Sequence, residues 1–135
     1  MEYMSAKKRQ GELGEAAVTF DLMKRGYGVA TPLSENIRYD LIVDRNGKLE
    51  RIQVKSVNSD GKTIVVKNRS MNPNYPIKYT KDDFEWLACY DLTTGIVLYV
   101  PSVISDNRSC LSFKIVERGK QQGKCRWNAV DFQEI

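Results

Sequence analysis

Two runs of apolar and β-branched residues, Tyr39–Asp44 and Leu49–Lys55, are joined by Arg45-Asn46-Gly47-Lys48. No other stretch limits the possible folds so tightly. Asn-Gly between such runs predicts a hairpin closed by a two-residue type I′ turn, whose central residues both need positive φ. With Asn46 and Gly47 as the loop, Arg45 faces Lys48, and the register that follows sets Asp40 opposite Gln53. Side chains alternate along a strand, so Gln53 and Lys55 share a face, and Asp40 joins them because directly opposed residues do the same. Opposed Cβ atoms lie about 5 Å apart and diagonal ones about 7–8 Å. One turn therefore gathers a carboxylate, an amide and an ammonium within reach of one small ion or one phosphate. Tyr39, Leu41, Val43, Ile52 and Val54 form the other face, which reads as core. The competing reading is an ordinary half-buried hairpin with an Asp–Lys pair on its wet side.

The chain contains no histidine. That excludes Ser-His-Asp and Cys-His catalysis, zinc chemistry of the HEXXH kind, His-Asn-His nucleases and any histidine general base. Catalysis, if present, runs on carboxylates, lysine and a hard metal. Cys89, Cys110 and Cys125 are far apart and odd in number, which suits a reducing compartment and does not match a zinc site. At 135 residues the chain is expected to be a single domain, 1–135, with a core of its own. No apolar run approaches the ~20 residues of a membrane helix, and the N-terminus lacks the apolar segment of a signal peptide. A cytoplasmic protein without a membrane partner is expected. A net charge of +4 permits phosphate contacts without demanding them.

In chain order, residues 6–25 predict a helix. Leu13, Ala16, Ala17, Phe20 and Met23 form its apolar face, Val18 and Leu22 widen the arc, and Gly26 stops it. Glu15 lies on the Val18–Leu22 side, at the border of a core, with Glu12 one turn earlier; a helix-edge glutamate reaching solvent is the ordinary alternative. Tyr27–Thr31 predicts a short first strand, Pro32–Arg38 a loop, Asn58–Gly61 a turn, and Lys62–Lys67 a third antiparallel strand. Residues 68–81 are irregular, with two prolines and with Lys, Arg, Tyr and Asn side chains that suit phosphates and base edges; a plain solvated loop is equally compatible. Thr80 is expected to cap a turn through Phe84. Trp86–Asp91 and Ile96–Val100 predict a strand pair around Thr93-Thr94-Gly95. Pro101–Ser105 predicts a helical turn, and Leu111–Val116 a last strand. Arg118–Trp127 is a basic, acid-free stretch, either a surface loop or a second backbone contact.

A glutamate on the first helix, an aspartate on one strand, and a residue-x-lysine triplet on the next make a characteristic order. It resembles the PD-(D/E)xK nuclease superfamily. The match is fuller with the small group I intron homing endonucleases of that fold, through Gly14-Glu15, Lys24-Arg25-Gly26-Tyr27, Pro32-Leu33, Asn36 to Asp44 and Arg51-Ile52-Gln53-Val54-Lys55. It covers the first half of the chain well, and the second only in general character, with Tyr99-Val100-Pro101. Two departures stand out. Gln53 occupies the position of the usual Asp or Glu, as in the intron-endonuclease branch, and Tyr39 replaces the proline before Asp40.

The resemblance implies an α/β fold with a mixed central sheet flanked by helices, and a metal-dependent, sequence-specific DNA endonuclease of the homing type. Its implied catalytic residues are Glu15, Asp40, Gln53 and Lys55. Mg²⁺, with Mn²⁺ as substitute, would be held by Asp40, Glu15 and the Val54 carbonyl. Lys62, Lys67, Arg69, Asn72, Tyr75 and Lys78 are the expected contacts to double-stranded DNA. Cutting a duplex implies a homodimer or homotetramer, and the resemblance suggests a prokaryotic, phage or intron-encoded origin. The alternatives are a Holliday-junction resolvase or restriction-type nuclease of the same fold, and a catalytically inactive DNA-binding protein.

Overall fold

The computed structural model describes residues 5–69, 77–115 and 127–135. Helix α1 spans Ala6–Lys24. It begins where the Ser5 hydroxyl accepts the Lys8 N–H at 3.2 Å, a capping bond for one of the orphan donors of the first turn. It ends at Arg25, and Gly26 at φ +88° turns the chain away, since only glycine takes that conformation without strain.

Strands β1 (Gly28–Ala30), β2 (Leu41–Arg45) and β3 (Lys48–Val57) follow. Asn46 and Gly47 take φ of 56° and 91°, as a type I′ turn requires. The pairing from Arg45↔Lys48 to Leu41↔Ile52 is the expected register. Then come β4 (Thr63–Lys67), β5 (Trp86–Asp91), β6 (Val97–Pro101), the short α2 (Ser102–Ser105), β7 (Cys110–Lys114), β8 (Trp127–Asn128) and a 3₁₀ turn over Ala129–Phe132.

The central sheet has the order β1-β2-β3-β5-β6, with β3 and β5 parallel and the other pairs antiparallel. This is an α/β fold with a mixed central sheet flanked by helices. One face packs on α1 through Val18, Leu22, Leu41, Val43, Ile52, Val54, Ala88 and Tyr99. The other face packs on a second sheet, β4-β7-β8, through a cluster that includes Leu87, Cys89, Leu98 and Val100 from the central sheet and Ile64, Val66, Leu111 and Phe113 from the second. The alternation Leu87/Ala88/Cys89 splits β5 between the two cores, as a strand buried on both faces must.

Four local readings need revision. The buried line of α1 is Gly14, Val18 and Leu22; Leu13, Phe20 and Met23, expected to be core, are about half exposed or more. Two apolar stripes compete on this helix, and the helix presents the one that starts at Gly14, where the missing side chain lets it lie close on β3. Tyr39 packs in the core opposite to Leu41 and Val43, because the chain leaves the ladder at Asp40 and the alternation resets there. Strand β4 is antiparallel to β7 in the second sheet and does not extend the hairpin, whose far side is taken by β5. Strand β7 is followed by β8, parallel to it. Thr80 does close a turn, its N–H donating to Asp83 Oδ2 at 2.8 Å and its hydroxyl accepting the Asp82 N–H at 3.4 Å. Most of Arg118–Trp127 lies outside the described residues.

Candidate active site

Strand β3 has ten residues and β2 five. Beyond Ile52, β3 therefore has β5 on one side and, among the described residues, no strand on the other. Asp40 and a helix side chain serve this open edge in place of a strand. The Asp40 N–H donates to the Ile52 carbonyl at 2.8 Å, and Asp40 Oδ2 accepts the Val54 N–H at 2.9 Å. The Gln10 amide on α1 donates to the Ser56 carbonyl at 3.1 Å. Asp40 thus sits astride the strand end, bonded to Val54 backbone, where the bare register would put it flatly opposite Gln53.

Helix α1 closes over this edge. A Cβ built on Gly14 would meet Ser56 Oγ at 1.8 Å and Ser56 Cβ at 3.2 Å, so any side chain there would have to push Ser56 aside. The next residue, Glu15, is thereby held at the cleft of about 450 Å³ that Lys8, Gly11, Glu12, Glu15, Asp40, Gln53 and Val54 line. Consecutive strand residues line one cleft because it lies at the edge of the sheet, where both faces are reached. Burial pushes the Glu15 carboxyl above the ordinary carboxylate range, and the nearby charges of Asp40 and Glu12 push it further. Burial also raises Asp40, against the opposing pull of the Val54 N–H and the Lys55 ammonium.

Gln53 is buried at 7% exposure, and its amide donates to the neighbouring Val54 carbonyl at 3.3 Å. Lys55, on the same face of β3 as Gln53, leans toward the second sheet. Its Nζ donates to the Arg69 carbonyl at 3.1 Å and stands 5.2 Å from the centre of the Tyr79 ring. Burial lowers its pKa, and the charge of Asp40 partly restores it. It lines an adjoining cleft of about 250 Å³ with Lys7, Ser56, Val57, Val65 and Lys67. Glu15, Asp40 and Gln53 are therefore brought to one cleft, and Lys55 lines the adjoining one, close enough to Asp40 for the two charges to interact.

Of the expected nucleic-acid contacts, Lys62, Lys67, Arg69 and Lys78 are exposed. Arg69 and Lys78 face each other in an isolated antiparallel bridge, which ties the base of the 68–81 stretch. Asn72 and Tyr75 lie outside the described residues. Sequence reasoning missed Lys7, Gly14 and Tyr79. Gly14 carried a signal, a glycine in mid-helix with a cost of ~1 kcal/mol relative to alanine that calls for a packing reason. Tyr79 carried none, because its contact to Lys55 depends on how the second sheet docks.

Among the described residues, no group of three or more His, Cys, Asp or Glu side chains forms a metal cage. The donors still suit a hard divalent cation. Two half-buried, mutually repelling carboxylates flank the cleft, and the Val54 carbonyl lies on the same edge. Asp40 Oδ1 has no protein donor among the described residues. Mg²⁺ keeps several waters and takes one or two carboxylates, so it needs no cage.

A sequence model of one protein family, described as PD-(D/E)XK endonuclease, matches residues 4–135. Among solved structures, the bacterial homing endonuclease I-Ssp6803I is similar, with 26% identity and a TM-score of 0.75 over 96% of this chain and 89% of that one. No curated protein matches.

Proposed function

The chain belongs to the PD-(D/E)XK endonuclease family, with the nuclease-type function that membership implies, and from that premise we propose a metal-dependent, sequence-specific endonuclease of the homing type acting on double-stranded DNA. The observation that carries this reading is the cleft at the open edge of β3, where Glu15 and Asp40 crowd two carboxylates beside the Gln53 amide. Likeness to a bacterial homing endonuclease supports the finer assignment.

Asp40, Glu15 and the Val54 carbonyl would hold Mg²⁺, with Mn²⁺ as its substitute. The bound ion would neutralise charge on the scissile phosphate and supply a nucleophilic water at neutral pH. The protein's own part is positional and electrostatic. Asp40 is fixed by the Val54 N–H, and Glu15 by the close seat of α1. The Gln53 amide offers a donor and an acceptor to a water or a phosphate oxygen. The Lys55 ammonium stabilises the negative charge that builds on the phosphate in the transition state. Lys62, Lys67, Arg69 and Lys78 track the DNA backbone, and Asn72 and Tyr75 of the same stretch read base edges. A protomer of this size carries one such site, so a double-strand break calls for a homodimer or homotetramer.

The test is incubation of the protein with a randomised duplex library and Mg²⁺, followed by sequencing of the ends. Breaks at one recurring sequence are expected. Breaks in a four-way junction incubated alongside, with none in the duplexes, would make the protein a resolvase. Binding without breaks in Mg²⁺ and in Mn²⁺ would overturn the enzymatic reading.

A further inference from the structure

Lys55 does not hang free in the site. Its ammonium is bracketed by the Arg69 carbonyl at 3.1 Å and by the face of the Tyr79 ring at 5.2 Å. The bracket is rigid. Tyr79 is 8% exposed, and its ring meets the fully buried Phe84 edge-on at 5.4 Å. Its backbone is tied at both ends, the N–H donating to the Asn68 carbonyl at 3.2 Å and the carbonyl accepting the Asn107 N–H at 3.3 Å. Asn68 is itself pinned, its side-chain amide donating to the Ser105 carbonyl at 2.8 Å. An ammonium over an aromatic face is attracted by the ring quadrupole, and more strongly where water is excluded.

We propose that Tyr79 is a positioning residue for Lys55: its ring, locked by Phe84 and Asn68, and the Arg69 carbonyl together hold the ammonium at the open edge of β3. This rests on the nuclease reading for its consequence in catalysis, and on geometry alone for the seat. A four-carbon stem with free rotation reaches many places, and the seat selects one. It also joins the lysine to the base of the 68–81 stretch, because Arg69, whose carbonyl completes the seat, pairs with Lys78.

Two measurements on the full chain test it. The first is the single-turnover cleavage rate of wild type, Tyr79→Leu, Tyr79→Phe, Lys55→Ala and the double variant Tyr79→Leu/Lys55→Ala, with DNA affinity measured alongside. Loss of the ring should lower the rate about tenfold at unchanged DNA affinity. Tyr79→Phe, which keeps the ring, should retain the rate within about threefold. In the Lys55→Ala background, Tyr79→Leu should change nothing further. Equal losses from Tyr79→Leu in both backgrounds would overturn the positioning role. The second measurement needs no activity: acetylation of each lysine by an N-hydroxysuccinimide ester, followed by mass spectrometry. Lys55 should be slow to react in wild type and in Tyr79→Phe, and faster in Tyr79→Leu, with other lysines unaffected. An unchanged Lys55 rate in Tyr79→Leu would overturn the seat. If wild type fails to cleave and the Lys55 protection follows the ring, the seat stands and the nuclease reading falls.

Discussion

Asp40 is held by one backbone donor, the Val54 N–H, and that bond is what aims it at the cleft. Asp40→Ala should reduce cleavage by at least about a thousandfold, because a ligand and the charge that balances the cation are both lost. Phosphate contacts are untouched, so DNA affinity should survive; cleavage within tenfold of wild type would remove Asp40 from the site. Gln53 sits beside it as an amide where a carboxylate is usual. Gln53→Glu adds a third acid to Glu15 and Asp40, so the divalent-metal concentration needed for half-maximal cleavage should fall. The rate at saturation should stay level or drop, since the new charge repels phosphate and the amide donor is gone. A metal titration of both proteins reads this directly. The nearness of Asp40, Gln53 and Lys55 was legible because Asn46-Gly47 fixes the register before any tertiary contact forms. What the register could not convey is that they meet at an edge of the sheet. That depends on β2 stopping at Leu41, and no residue type marks such an end.

Helix α1 owes its seat to Gly14. A methyl there meets Ser56 Oγ at 1.8 Å and Ser56 Cβ at 3.2 Å, so Gly14→Ala should cost roughly 1–3 kcal/mol of overpacking, read in denaturant titration. Ser56→Ala removes the nearer atom and should restore part of that loss in the double variant; an additive result would mean that the helix sits elsewhere. The helix was legible to within a residue, yet its buried side was not. Leu13, Phe20 and Met23 read as core by spacing alone, and the close approach at Gly14 overrode them. The 68–81 stretch is tied by Arg69 and Lys78 at its base. If it carries DNA, Arg69→Ala and Lys78→Ala should each flatten the log–log salt dependence of binding by about 0.9 per lost phosphate contact. Unchanged slopes in fluorescence anisotropy would place DNA on another surface.

The whole molecule is stitched where the two turns meet at Asp91. This buried carboxylate accepts the Ser59 N–H at 2.9 Å, the Ser59 hydroxyl at 2.6 Å, the Thr94 hydroxyl at 2.7 Å and the Thr93 N–H at 3.3 Å. Burial raises its pKa, and the hydrogen bonds outweigh burial and hold it below the ordinary value. A depressed folded-state pKa contributes stability above the ordinary carboxylate pKa and loses it as pH falls through the depressed value. Asp91→Ala should cost about 3 kcal/mol at neutral pH. The gap to wild type should narrow as pH drops below about 4; a gap constant with pH would mean that the charge is not the source. The strands of the second half were legible one by one. Their division into two sheets was not, because partner choice for β4 is a long-range matter that alternation along the strand does not encode. The site's open edge has one more consequence, for the state before folding is complete. β3 gains its β5 neighbour only after the chain has run through β4 and back, and parallel closure over such a distance is slow. During that interval residues 53–57 offer unpaired N–H and C=O groups to any strand, including one from another molecule, until Asp40 and Gln10 take up the Val54 N–H and the Ser56 carbonyl on the β2 side. Charge at an edge discourages that pairing, and here the charges are Asp40 and Lys55. Asp40→Ala and Lys55→Ala, chosen to silence chemistry, should therefore also scatter more light during refolding at high protein concentration. The residues that would cut DNA are the same ones that keep the edge they guard from joining a stranger's sheet.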